Sequence, residues 1–224
     1  MLNQITVSDD VYVLRPDYVA FVMTVEGLPA GRSDSYSRSV LEDAQRTVTD
    51  LDDPHVTAWH EAYRAFGAKP GRTRPSVDAL LRRAAGGLPE VNRVVDLYNA
   101  ISVRYRVPVG GEDLDAYRGA ARLVRARGDE SFDTLAAGEG INDPPLPGEV
   151  VWRDDAGVTC RRWNWRQCVR TKLTEDTVNG FFVFDRLSPM SLEALAAAGE
   201  ELVAHLTRLA PRARVHSRLL CRAG

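Results

Sequence analysis

The period of the hydrophobic positions changes near the middle of this chain. In residues 35–51, Val40, Leu41, Ala44, Val48 and Leu51 recur at helical spacing. Val56, Trp59, Tyr63 and Phe66 mark one face of a second helix. Ser76 is placed to cap a short helix carrying Val77, Leu80, Leu81 and Ala84, which ends at Gly86-Gly87. Pro89 opens a fourth helix with the stripe Val91, Val94, Val95, Tyr98, Ile101 and Tyr105. Upstream of these helices, residues 11–14 and 18–25 are β-rich and bounded by Pro16 and Gly27. Downstream, residues 121–127 alternate as a strand, and 128–140 is turn-rich with a short strand. Residues 141–148 carry three prolines and read as a surface loop. Residues 149–152 and 181–185 are strands. Ser188 is expected to cap a helix opened by Pro189, striped by Leu192, Leu195, Leu202, Leu206 and Leu209, and 215–220 is a last strand. Helices dominate the first half and strands the second, so the class is α+β and not alternating βαβ.

Between the strands lies a dense stretch, Cys160-Arg161-Arg162-Trp163-Asn164-Trp165-Arg166-Gln167. Aromatic faces and guanidinium groups hold bases, phosphates and planar ligands. The same residues also suit a hairpin whose tryptophans plug the core while its arginines face water. The strand Phe181-Phe182-Val183-Phe184 ends in Asp185, whose carboxylate should be partly desolvated. Arg162 or Arg166 is one candidate partner for it, and a cationic ligand is the other. Gly110-Gly111 allows close approach of backbone to a ligand. Asn99 and Ser102 flank the Tyr98 stripe and need partners if buried.

Composition narrows the classes. Of 224 residues 44% are hydrophobic, enough for a sizeable core. The net charge of −2 argues against coating nucleic acid by bulk charge, but not against a local patch. Arg161, Arg162, Arg166, Arg170 and Lys172 form such a cluster, and Arg212, Arg214, Arg218 and Arg222 mark the C-terminus. The breaker-rich loop 67–75, with Lys69, Arg72 and Arg74, reads as a solvated connector or, less commonly, a contact loop. Three cysteines without metal-ligand spacing point to free thiols in a reducing cytosol. No stretch has the length and apolarity to span a membrane. His55 and His60 look exposed and do not share a helix face. No zinc motif, nucleophile elbow, phosphate loop or dinucleotide fingerprint is present, so neither metal nor cofactor is expected.

The order Asp96-Leu97-Tyr98-Asn99, Val107-Pro108, Asp113-Leu114-Asp115, Gly148-Glu149-Val150-Val151, the Trp163 hairpin, Thr177 and the strand to Asp185 resembles the editing domain of the bacterial phenylalanyl-tRNA synthetase β subunit. Free-standing relatives of that domain carry a similar Arg-Arg-Trp-Asn-Trp-Arg-Gln run. The resemblance spans residues 89–187. It implies a three-layer α+β sandwich of β-sheets flanked by helices. One editing-like domain would then fill 1–224, with a helical portion over about 34–106 and a β-rich site portion over about 107–224. It implies hydrolysis of the ester joining a wrong amino acid to its tRNA.

Asp185 falls where the synthetase domain has a glutamate that reads the side chain. Tyr98-Asn99 falls on its Thr-Asn segment, and Gly110 stands in place of a site histidine. The last departure, and the Trp-Asn-Trp run in place of a glycine-rich segment, count against tyrosine-specific editing. Free-standing relatives include a deacylase that clears tRNA(Arg) charged with canavanine. The resemblance thus gives Tyr98 and Asp185 as catalytic, and Asn99, Ser102, Gly110, Gly111, Trp163, Asn164, Trp165 and Arg166 as substrate-binding. Arg161, Arg162, Arg170 and Lys172 are the expected tRNA contacts, with tRNA(Arg) the expected partner. A non-catalytic tRNA-binding or small-ligand module is the alternative.

Overall fold

The computed structural model describes residues 2–222. In chain order its elements are β1 (Thr6–Val7), α1 (Asp9–Leu14), β2 (Val19–Glu26), α2 (Ser35–Arg46), α3 (Pro54–Ala65), α4 (Ser76–Ala84) and α5 (Arg93–Tyr105). There follow β3 (Val109–Asp113), β4 (Arg122–Arg125), β5 (Asp133–Ala136), β6 (Glu139–Asn142), β7 (Val150–Arg153), β8 (Val158–Arg161), β9 (Arg166–Gln167), β10 (Asn179–Arg186), α6 (Leu192–Leu209) and β11 (Arg214–Cys221).

Two sheets and a helical layer make a three-layer α+β sandwich. The middle layer is the sheet β11-β2-β10-β3, antiparallel throughout. Strand β10 is buried on both faces, and its period of two divides the core. Phe182 and Phe184, with Met23 and Val25 of β2, pack against α2, α5 and α6. Phe181 and Val183, with Ala20 and Val22, face the second sheet, β1-β4-β7-β8-β9. Asp185 continues the series 181, 183, 185, so it points between the sheets. Helix α3 adds Trp59 and Tyr63 to the same core.

Several local expectations change. Residues 11–14 lie in the short helix α1 and not in a strand, with Asp9 and Asp10 in its first turn. Helix α5 starts at Arg93, because the Asn92 side chain accepts from Val95 N and caps it there. Helix α6 is capped by Ser191, not Ser188, and Ser188-Pro189 is a cis peptide bond. The glycine pair lies within β3, and part of the proline-bounded stretch pairs as β6.

Candidate functional site

The site is built on three elements. Strand β10 supplies Asp185, β3 supplies Gly110 and Glu112, and the β8–β9 hairpin supplies Trp163 to Gln167. Register places Gly110 opposite Val183 and Glu112 opposite Phe181, so these four share one sheet face with Asp185. The hairpin reverses through two consecutive left-handed residues, Arg162 (φ 48°) and Trp163 (φ 67°). Trp163 thereby turns inward and is fully buried, packing edge-on against Tyr18 at 5.0 Å and Trp59 at 5.2 Å. Asn164, next in the turn, is directed at Asp185.

Asp185 is 1% exposed. Its Oδ1 accepts from the Tyr18 hydroxyl at 2.6 Å and its Oδ2 from Asn164 Nδ2 at 3.1 Å. Tyr63 fixes the amide, its hydroxyl donating to Asn164 Oδ1 at 2.9 Å. No cation pairs with Asp185 among the described residues, so neither Arg162 nor Arg166 is its partner. Burial pushes its carboxyl up to about 7, and the bonds from Tyr18 and Asn164 offset only part of that.

A cavity of about 460 Å³ opens beside this group. Tyr98, Asn99, Gly110, Trp165, Arg166 and Asp185, distant in sequence, all line it. Tyr98 is buried to 7% exposure, and burial holds its phenol above the ordinary range, so it remains a neutral donor. Tyr18 and Tyr63 spend their hydroxyls on the protein; that of Tyr98 has no partner among the described residues. Asn164 and the edge of Trp163 complete the wall.

The sequence reading missed Glu112, a second buried carboxylate lining the cavity. Tyr117, Thr159 and Thr171 offer it hydroxyls, and burial pushes it up to about 7. The alternation of Gly110 and Glu112 against Val109 and Gly111 was the signal available for it. Ser76 and Arg83 of α4 were also missed; with Arg74, from the loop noted as a contact candidate, they line the cavity.

Several expected site residues stand elsewhere. Ser102 is buried and donates to Val107 O at 2.6 Å, so it fastens the end of α5 and does not line the cavity. Gly111 faces the other side of the sheet, where an added Cβ would come within 2.8–2.9 Å of Leu173, Phe182 and Tyr98. Its role is to admit Tyr98 against the strand. Arg161 is 3% exposed and bidentate to Glu149 at 2.8 Å for each bond, with a third bond to Asp143 at 2.6 Å. Arg162 stacks on Trp165, 4.4 Å from the ring centroid, and lies 3.5 Å from Glu149. Arg170 is bidentate to buried Asp154 at 2.8 and 2.9 Å. These three arginines are committed inside the protein, so the expected tRNA patch is not a free surface. Lys172 is exposed and does not line the cavity; it borders a neighbouring hollow near β5 that shares Arg166 and Gln167 with it.

The other chemistry is quiet. Burial pushes the Cys160 thiol up and argues against a thiolate nucleophile. His55, expected to be exposed, is buried: its Nε2 accepts from Trp59 Nε1 and Leu187 N, so Nδ1 donates to Arg106 O. Burial lowers its pKa, keeping it neutral and structural. No histidine lines the cavity.

A cavity of this size, walled by apolar and polar groups in similar measure, is the candidate ligand site of this α+β domain. The chain belongs to the B3/4 domain family, whose model matches residues 58–200. It is similar in structure to an N-terminal fragment of the phenylalanyl-tRNA synthetase β-subunit from Pyrococcus horikoshii. The TM-score is 0.53 at 15% identity, over 96% of this chain and 53% of that one, so this chain spans about half the fragment's length. At that identity the likeness concerns the fold. No curated protein matches the chain.

Proposed function

We propose that this protein hydrolyses the ester of a mischarged aminoacyl-tRNA, with a cationic amino acid such as canavanine on tRNA(Arg) as the best candidate substrate. The observation that carries the reading is Asp185: a buried carboxylate, paired with no cation among the described residues, at a cavity in a domain of this family. An enclosed anion of this kind is stabilised when a ligand brings a guanidinium or ammonium group to it. Glu112 gives the cavity a second acceptor of the same sign. The Tyr98 hydroxyl and the Asn99 amide are the polar groups with capacity to spare. As a neutral donor Tyr98 orients the ester carbonyl or the attacking water, and it does not act as a base. No histidine lines the cavity, so the vicinal ribose hydroxyl of the tRNA terminus relays the proton: it takes one from the attacking water and passes its own to the ester oxygen that leaves as the acyl C–O bond breaks, giving free amino acid and free tRNA. Positioning supplies the rate enhancement.

The cavity has no histidine, and its two carboxylates are already held by hydroxyl and amide donors, which favours a second reading, in which the cavity holds the same aminoacyl end without cleaving it. A deacylation panel of mischarged tRNAs separates the two. Turnover of canavanyl-tRNA(Arg), reduced in Asp185→Asn, supports the hydrolase. Saturable binding of every sample with ester lifetimes unchanged would replace it by the binding module.

A further inference from the structure

A second concentration of cations lies outside the hairpin. Residues 67–87, the loop after α3 and the whole of α4, carry five cations and one carboxylate, a net +4 in a chain whose total is −2. The carboxylate is Asp78, itself buried. It receives Arg82 at 2.8 Å and Arg74 at 3.4 Å, with His60 at 2.9 Å. One enclosed anion thus holds two guanidinium groups in place and leaves the face strongly positive. Lys69, Arg72 and Arg83 are exposed and take part in no ion pair among the described residues. This face is not remote from the cavity, because Arg74 and Arg83 form one rim of its mouth. Arg166 of the β8–β9 hairpin, also exposed, lines the same cavity, its guanidinium 4.5 Å from the centroid of the Trp165 ring. The bland alternative is that Arg82 and Arg83 only complement the C-terminal end of α4. That explains neither Lys69 and Arg72 in the loop nor the placing of Arg83 at the mouth.

We infer that the face formed by the 67–75 loop and α4, with Arg166, is the docking surface for the single-stranded 3′ end of an RNA. The inference rests on the proposed function, which requires an esterified ribose to enter the cavity while its strand lies across the rim. A single strand presents one phosphate per nucleotide and exposed base faces. Arg83 and Arg72 meet the phosphates. The outer face of the Arg166 guanidinium, already stacked on Trp165, offers a plane to a base.

The test is binding of uncharged tRNA, followed by fluorescence anisotropy across a salt series. Charge reversal at exposed positions avoids the core, and thermal melting of each variant checks the fold. Arg72→Glu and Arg83→Glu should each weaken binding roughly fivefold or more, and each should flatten the slope of log affinity against log salt by about 0.7. Arg212→Glu, exposed in the turn after α6 and lining neither the cavity nor the hollow near β5, should leave affinity unchanged. Wild-type affinity and slope in the Arg72→Glu/Arg83→Glu double variant, or no tRNA binding by the wild type at low salt, overturns the docking surface. The two proposals fail separately. Ester hydrolysis with tRNA affinity indifferent to the double reversal sinks this face alone. Affinity that follows these arginines without hydrolysis of any ester sinks the hydrolase and keeps the face.

Discussion

Two regions of this molecule bury carboxylates, and they treat them in opposite ways. Below the hairpin, Glu149 and Asp154 are sealed from water and each is clasped by an arginine, Arg161 and Arg170. Burial alone would raise Asp154, but hydrogen bonds from Arg170 and backbone N–H groups hold it below the usual range. Between the sheets, Asp185 and Glu112 are equally sealed, yet only hydroxyls and an amide reach them, and both are pushed up to about 7. A buried charge met by a protein cation has structural work. A buried charge that the protein leaves unneutralised keeps capacity for a cation from outside.

The largest expected effect lies on the compensated side. Arg161→Met removes the bidentate partner of Glu149, leaving it enclosed with only the longer contact to Arg162, and should lower stability by about 3–5 kcal/mol. Chemical denaturation measures this, and a loss under 1 kcal/mol would erase the contrast. Arg170→Gln should follow with a loss of about 1–3 kcal/mol, smaller because Asp154 also accepts backbone bonds from Arg118, Ala156 and Gly157.

The uncompensated side should respond in function before stability. Asp185→Asn should reduce deacylation of a cationic aminoacyl-tRNA roughly ten- to a hundredfold, the loss of one charge-assisted contact of about 1.5–3 kcal/mol, with the melting temperature at pH 8 unchanged or raised. A large fall in melting temperature with the rate intact would make Asp185 a structural partner like Glu149.

The pH dependence sharpens the contrast further. Asp185 and Glu112 have folded-state values near 7, above their unfolded values near 4. The folded state therefore holds more protons between those limits, and their contribution to stability is full below about pH 4 and lost as pH rises through 7. Asp154 runs the other way, and its contribution is lost only as pH falls below the ordinary carboxylate range. Melting temperature should thus decline from pH 5 to pH 8, and the Asp185→Asn/Glu112→Gln double variant should flatten that decline. An unaltered profile in the double variant would mean that these carboxylates do not titrate in this window.

The smallest expected effect concerns the support of Tyr98. Gly111→Ala forces a Cβ against Tyr98, Phe182 and Leu173 and should cost about 1–3 kcal/mol while displacing the Tyr98 ring. Tyr98 fluorescence or a structure of the variant would detect the shift.

Much of the fold was legible in the chain. The stripes of α2 to α6, the fully apolar strand β10 and the α+β class follow from periodicity and burial, which each segment records about itself. The Trp163 hairpin and the cavity-facing Asp185 were legible too, as local anomalies: aromatic density in a turn, and a charge closing an apolar run. What only the tertiary structure decided is which charges meet. Arg161 finds Glu149 twelve residues back, Arg170 finds Asp154, and Asp185 finds Tyr18 at the other end of the chain. An arginine-rich run reads the same whether its guanidinium groups face water or clasp carboxylates, because the outcome depends on partners brought in by other strands. The positive surface left over is decided by that pairing: Arg161, Arg162 and Arg170 are consumed by carboxylates, whereas Arg72 and Arg83 stay exposed.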